Sequence, residues 1–433
     1  MRKTLLFILL GSLAFPLPAQ DSWTLERCIR YGLEHNTGIR RQEVEISIRK
    51  AELRQKQFEH LPAAAVSIGH DMNWGRSVDM QELVIIRNKL TQASGASVHL
   101  SFPLFDGFSR HYARIAARKS AETAVLDAEA MRRTLTLDIT RAWLELMLAR
   151  QLHICARERR EAIVIQRERT AQLVEAGSQP KSALHEMDAQ VASEKATEVE
   201  AACRVRTARV TLGRLMNLAP DDTLVTQALP GDETFERSVP PLSRTRVEDW
   251  LWQDPRIRSA RKSIEEMACR HTAARGAFLP SLKLTAGYGT YYSSAAEDSF
   301  RTQLDENRNP SLSFQLVIPV FDALQRVSQA RKSRLSLEMA RLHAETVKTE
   351  VEAEIRSAAI EAENSCQKYL SAEETLQAMQ ELLKVTEAKY NLGAASALDY
   401  IVARNHHAQA VSDFLQAKWQ FIFQLKLLEQ FEP

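Results

Sequence analysis

The sequence predicts a mainly α-helical, internally duplicated chain in which long antiparallel coiled-coil helices carry four membrane β-strands. Three observations point there. The 433-residue chain states one pattern twice: Asn36-x-x-Ile39 returns as Asp254-x-x-Ile257, and Leu61-Pro62 as Leu279-Pro280. Pro103-Leu104-Phe105-Asp106 returns as Pro319-Val320-Phe321-Asp322, and Gly177 as Gly393. A repeat of roughly 200 residues far exceeds the 20–50 of a solenoid unit, so it marks a duplicated half-protein. Each half holds two segments that alternate apolar and polar with period two. Each half also holds a very long stretch free of proline and glycine.

The first twenty residues lie outside the fold. Arg2 and Lys3 precede the apolar run Leu5 to Phe15, and Pro16 to Gln20 resembles a cleavage region, so 1–20 is a secretory signal too short to span a bilayer. Its loss brings 57 Lys+Arg and 55 Asp+Glu into balance, which argues against a nucleic-acid partner. Five scattered cysteines without a CxxC make neither a disulfide framework nor a zinc site, and read as buried free thiols.

The first repeat is expected over 21–216. Trp23-Thr24-Leu25-Glu26 opens a helix with a possible break at Asn36, and Pro62 stops it. In the strand expected at 63–74, Ala64, Val66, Ile68 and Met72 face one way and Ala65, Ser67, Gly69 and Asp71 the other. In the strand at 94–103, Ala96, Val98, Leu100 and Phe102 alternate with Ser97, His99 and Ser101. A long helix at 107–176 and a return helix at 182–215 follow. The proline-bearing segment 217–246 is an irregular, equatorial connector with a candidate strand at Thr223-Leu224-Val225.

The second repeat, 247–433, opens with a helix and has strands at 281–292 and 311–319, a long helix at 322–392 and a return helix at 397–431. Leu282, Leu284, Ala286 and Tyr288 form one face of its first strand, and Leu312, Phe314, Leu316 and Ile318 one face of its second.

Strands of about ten residues suit either a tilted membrane crossing or an ordinary half-buried hairpin. The helices decide between them. At 1.5 Å per residue, ~68 residues make a rod of about 100 Å, the length of a coiled coil and not of a globular helix. Val351, Ile355, Ala358, Ala362, Ser365, Tyr369, Ala372, Leu376, Met379, Leu383 and Thr386 step by fours and threes, the 3.5-residue period of a supercoil. Leu398, Ile401, Asn405, Ala408, Ser412, Leu415, Trp419 and Ile422 repeat it on the returning helix.

Four membrane strands cannot close, since the smallest barrels have about eight, and an open edge in lipid leaves N–H and C=O groups unpaired at several kcal/mol each. Identical copies must share one barrel. Two give a filled interior of eight strands; three give twelve and an aqueous lumen. The second face (Ser67, Asp71, Ser97, His99, Ser101, Thr285, Ser313, Gln315) is small and polar, which favours a wet interior. Such a barrel on a helical tube implies passage of solutes. A soluble coiled-coil scaffold or adaptor is the rival, and it leaves the strands unexplained. No nucleophile–base pair, phosphate-cradling glycine loop or metal-ligand spacing is present, which argues against an enzyme and calls for no cofactor.

The start Trp23-Thr24-Leu25-Glu26, Asn36-Thr37-Gly38-Ile39, Leu61-Pro62, Phe102-Pro103-Leu104-Phe105-Asp106-Gly107, Ile318-Pro319-Val320-Phe321-Asp322 and the tip Tyr390-Asn391-Leu392-Gly393-Ala394-Ala395-Ser396-Ala397-Leu398-Asp399-Tyr400 resemble the TolC family of outer-membrane efflux ducts. The resemblance spans the mature chain. It implies a homotrimer with a twelve-stranded β-barrel in outer-membrane lipid and an α-barrel in the periplasm. It also implies docking of the helix tips to a periplasmic adaptor bound to an inner-membrane pump.

By that resemblance Tyr390 matches a tyrosine that links neighbouring helices, Asp399 matches a pore-ring aspartate, and His185 stands where a partner aspartate is expected. Ala395 and Val402 stand where a linking arginine and a second ring aspartate are expected, which implies a weaker or a different latch. Gly177 and Gly393 read as adaptor-docking tip turns and equally as plain helix stops. Asp399 reads equally as a helix cap, and Tyr390 as ordinary seam packing. Pro62, Pro103, Pro280 and Pro319 mark strand–helix corners. His406 and His407 point about 100° apart on a helix and read as solvated surface.

Overall fold

The computed structural model describes residues 23–78, 85–219, 244–392, 394–429 and 431. The signal segment, residues 220–243 of the connector with its candidate strand, and Gly393 lie outside them. The first half runs α1 (Leu25–His35), α2 (Thr37–Phe58), β1 (Ala63–Val78), β2 (Ile85–Phe105), α3 (Ser109–Glu175) and α4 (Lys181–Met216). The second runs α5 (Arg244–Gln253), α6 (Pro255–Gly276), β3 (Ser281–Ser293), α7 (Phe300–Glu306), β4 (Asn309–Val317), α8 (Gln325–Asn391) and α9 (Ala397–Glu429).

Local chemistry sets the helix ends. Thr24 caps α1, its Oγ1 accepting from Arg27 N at 3.3 Å. Asn36 is extended (φ −64°, ψ 127°), so α1 stops there. Its Oδ1 then accepts from Gly38 N at 2.8 Å and starts α2. Asp254 does the same between α5 and α6, with φ −60°, ψ 126°, a 2.8 Å bond from Arg256 N, and Pro255 in the first turn. The duplicated Asn36/Asp254 positions are therefore duplicated helix breaks. The second one splits what the sequence suggested was a single helix, and it leaves Arg244–Arg246, expected in the connector, inside α5.

The chain divides into two compact units. The first holds 1–40, 131–250 and 353–433. Its core is built on Trp143, Ile139, Leu146, Leu212, Met216, Cys28, Ile39 and Ile422, all almost fully buried. A second cluster stacks Tyr369 on Phe421, centroids 5.9 Å apart, and joins α8 to α9. The first half of the expected α8 seam is a buried stripe, with Val351, Ile355, Ala358, Ala362, Ser365 and Tyr369 each 8% exposed or less, whereas Ala372, Leu376, Met379, Leu383 and Thr386 are only half-buried. Ion pairs Arg160–Glu198 (2.7 Å) and Arg167–Asp188 (2.8 Å) zip α3 to α4. The α3 and α8 helices have 67 residues each, about 100 Å at 1.5 Å per residue. Among the described residues no helix is long and apolar enough to cross a membrane.

The second unit, 41–130 and 251–352, contains one antiparallel sheet in the order β1-β2-β3-β4. Strands β1 and β2 run beyond the expected 63–74 and 94–103. Backbone pairing persists through Ser77↔Ile86 although the apolar alternation has faded. Strand β4 stops at Val317, short of the expected 319, because Pro319 offers no N–H to the ladder. Helix α7 had no counterpart in the sequence reading. Gln303, 1% exposed, anchors it: Oε1 accepts from Ser293 N, while Nε2 donates to Ser293 O and Asp298 O.

Candidate pore face, strand–helix corners and tips

Register joins the alternating segments into two continuous faces. Ala64, Leu100, Ala286 and Leu312 lie in one row across all four strands; Phe102, Leu284 and Phe314 form another. Ser101, Thr285 and Ser313 make a row on the opposite face, as Ser67 and Ser97 do. The apolar face is bare: Ile68 is 83% exposed and Phe314 64%. His70 interrupts it, and its Nδ1 meets Ser94 Oγ at 2.8 Å on the adjacent strand. Neither β1 nor β4 has a partner on its outer edge among the described residues.

The four prolines divide. Pro62 and Pro280 sit between a helix end and the first strand residue, as expected of corners. Pro103 lies inside β2, at a bulge between it and Phe105 that absorbs the missing donor. Pro319 follows β4 and precedes α8. The turn into α3 is instead made by Gly107 and Phe108, with φ 67° and 64°, and the turn into α8 by Ala323 and Leu324, with φ 48° and 67°. A Cβ on Gly107 would fall 2.1 Å from Gly276 O, so only glycine fits this crossing. Ser109 Oγ donates to Ala273 O at 2.8 Å and pins the start of α3 to α6.

In the first unit, α3 ends in a Schellman turn. Gly177 has φ 70°, its N–H reaches Val174 O at 3.1 Å, and Ser178 N reaches Leu173 O at 2.8 Å. Ala394 N closes the corresponding bond to Lys389 O at 2.8 Å at the end of α8. Ser396 and Asp399 form a capping box for α9. Asp399 Oδ2 accepts from Ser396 N (3.0 Å) and Oγ (2.7 Å), while Asp399 N donates to Ser396 Oγ at 3.1 Å. These bonds from Ser396 hold the exposed Asp399 carboxyl below its usual pKa. The cap's contribution is therefore present above the ordinary carboxylate range and is lost as pH falls through the lowered value.

Tyr390 stacks on Tyr400, centroids 5.2 Å apart, and Gln179 Nε2 approaches its hydroxyl at 3.5 Å. His185 is exposed on α4 and has no hydrogen bond or ion pair to Tyr390. The residues that tie the helices together near here are others. Arg404 Nη2 donates to Arg159 O at 2.6 Å, linking α9 to α3. Gln190 Nε2 reaches Asn405 Oδ1 at 3.5 Å and links α4 to α9. Burial pushes the Tyr400 hydroxyl pKa up. Two tyrosines ten residues apart across a helix turn, with Arg404 one turn beyond Tyr400, were the available signal for this cluster.

A cavity of about 410 Å³ lies among these helices, lined by Leu152, Cys155, Leu383, Tyr400, Arg404 and His407. His407 is therefore not the solvated surface expected, and burial lowers its pKa. Cys28 and Cys366 are buried and form no disulfide, and burial pushes the Cys28 thiol up to about 12. Cys203, by contrast, is exposed. Among the described residues no group of three His, Cys, Asp or Glu could hold a metal ion.

Comparison with known proteins agrees with this geometry. Protein CyaE of Bordetella pertussis is 26% identical over 339 residues, which cover 75% of this chain and 66% of that protein's length. The Campylobacter jejuni CmeC outer membrane channel superposes with a TM-score of 0.84 at 17% identity, covering 94% of this chain and 85% of that one. The open state of the Neisseria gonorrhoeae MtrE outer membrane channel gives 0.79 at 20% identity, covering 94% and 88%. At such identities the two channels establish a shared fold. The sequence pattern of the outer membrane efflux proteins matches residues 29–218 and 247–430, nearly all of both repeats, and the chain belongs to that family.

Proposed function

We propose that this chain forms a homotrimeric outer-membrane channel that passes solutes outward from a periplasmic adaptor and an inner-membrane pump, in multidrug efflux or type I secretion. One observation carries the reading: a sheet with a bare apolar face, a polar opposite face and two unpaired edges. In lipid each unpaired edge group costs several kcal/mol, and three copies remove every edge in a twelve-stranded barrel. The β4 edge of one copy runs antiparallel to the β1 edge of the next, which suits closure. A soluble scaffold or adaptor would need a layer over the apolar face. Purified protein should migrate as a heat-modifiable trimer and give stepwise conductance in planar bilayers. A soluble monomer that leaves bilayers silent would sink the proposal.

Within it, Asp399 serves as both cap and pore charge. Three symmetry-related carboxylates at the narrow end would attract cations. Asp399→Asn keeps an acceptor for Ser396 and removes the charge, so cation preference should fall while assembly is kept. An unchanged reversal potential in a salt gradient would remove Asp399 from the pore. The turns at Gly177 and Gly393 are the surfaces for the adaptor. A photo-cross-linker at Ser178 should capture a co-produced adaptor; intact efflux without any adduct would count against docking there.

A further inference from the structure

Within the second unit, the end of α6 and the starts of α3 and α8 border an open cleft of about 1090 Å³ at the strand–helix corner. Its cationic wall is Arg275, Arg331 and Arg334; Phe108, Phe278 and Leu279 form the apolar wall. No Asp or Glu lines it, and none of the three guanidinium groups is in a salt bridge with a carboxylate of the described residues. The nearby corner arginines are satisfied differently: Arg110 pairs with Asp106 at 3.4 Å and Arg326 with Asp322 at 3.3 Å. The acids of the corner are thus already engaged, and three positive charges converge on a space without an anion. Gly107 and Gly276 leave part of the wall as bare backbone.

Phe108, Phe278 and Leu279, 57%, 45% and 47% exposed, put an apolar side next to these three cations. The combination matches an amphiphile with an anionic head. Depth agrees with it. The corner lies just past the strand ends, where hydrocarbon about 30 Å thick gives way to headgroups. Arg331 and Arg334 are two to three turns into α8, so their flexible stems can reach back to that level. Tyr112, also in the wall, is a residue type that favours this interface.

We propose that this cleft binds the headgroup of a phospholipid of net negative charge, in preference to a zwitterionic one, from the leaflet on the helix side, one lipid per chain. The guanidinium groups hold the phosphate oxygens through paired N–H···O bonds, and the acyl chains lie over Phe108, Phe278 and Leu279 towards the apolar strand face. The proposal rests on the membrane reading of the sheet.

The test uses the full-length protein, delipidated in detergent and titrated with dioleoyl phosphatidylglycerol, dioleoyl phosphatidylcholine or inorganic phosphate. Bound lipid is read by native mass spectrometry. Phosphatidylglycerol should bind at one per chain. The variant Arg275→Gln/Arg331→Gln/Arg334→Gln should bind it about a hundred-fold more weakly, since each cation near a membrane surface contributes about 1 kcal/mol. If the triple variant fails to assemble, Arg331→Gln/Arg334→Gln on the exposed side of α8 replaces it, with the same expected direction. Equal phosphatidylglycerol binding by wild type and variant overturns the proposal, as does inorganic phosphate binding at one per chain where phosphatidylglycerol does not. Bilayer conductance of wild type, read in parallel, reports separately on the channel: conductance without lipid selectivity sinks only the headgroup site.

Discussion

Phe314→Arg is expected to remove the protein from the outer-membrane fraction, while Ser313→Arg leaves it there. The two residues are neighbours on β4 and differ only in the face they occupy. Phe314 is 64% exposed in a row with Leu284 and Phe102, where no other described residue covers it. A cation on the lipid face near the bilayer midplane costs ~2–4 kcal/mol, and in the proposed trimer three copies multiply the penalty to roughly 6–12 kcal/mol per assembly. Ser313 pairs with Thr285 on the polar face, where an arginine meets water. Fractionation and heat-modifiable migration of both variants decide the matter. Equal trimer yields for Phe314→Arg and wild type would mean that this face is not in lipid.

Trp143→Ala is expected to lower the thermal midpoint of the detergent-solubilised protein sharply, with Trp143→Phe far milder. Trp143 is 1% exposed and touches the core of Ile139, Leu146, Leu212 and Ile422. Truncating a buried tryptophan to alanine costs about 3–5 kcal/mol through lost burial and the cavity left behind. Its indole Nε1 is buried without a hydrogen-bond partner among the described residues. Phenylalanine therefore removes an unsatisfied donor along with some volume, and the two effects oppose one another. Equal midpoints for the two variants would contradict this account.

What could be read before the structure was whatever repeats with a short period. Val351 to Tyr369 announced a seam because burial along a supercoil recurs every 3.5 residues. Ile68 and Phe314 announced a face because a strand alternates every two. Asn36 could be read as a break, but its counterpart Asp254 was not, because its role as a helix start shows only in the bond its side chain accepts from Arg256 N. Helix α7 was hidden, since its stability comes from Gln303 reaching Ser293 and Asp298 and not from any pattern within seven residues. The corners were placed on Pro103 and Pro319 because proline is conspicuous. Left-handed turns at Phe108, Ala323 and Leu324 carry no such signature. At the tips, Tyr390 was legible as seam, but Arg404 reaching the Arg159 carbonyl depends on two helices being brought together. The binding cleft at the corner was invisible for the same reason, since Arg275 lies far in sequence from Arg331 and Arg334.

The sheet that stops in mid-air at β1 and β4 also has a meaning for biogenesis. A solitary newly exported molecule that folded this way would present two sticky ribbons and a greasy plane to everything around it. Its safe interval as a single polypeptide is therefore short. If three copies close one barrel as proposed, escorts that delay strand pairing until sister molecules arrive should govern yield more strongly than intrinsic stability does, and slow-assembling variants should be cleared by proteases before they ever reach their destination.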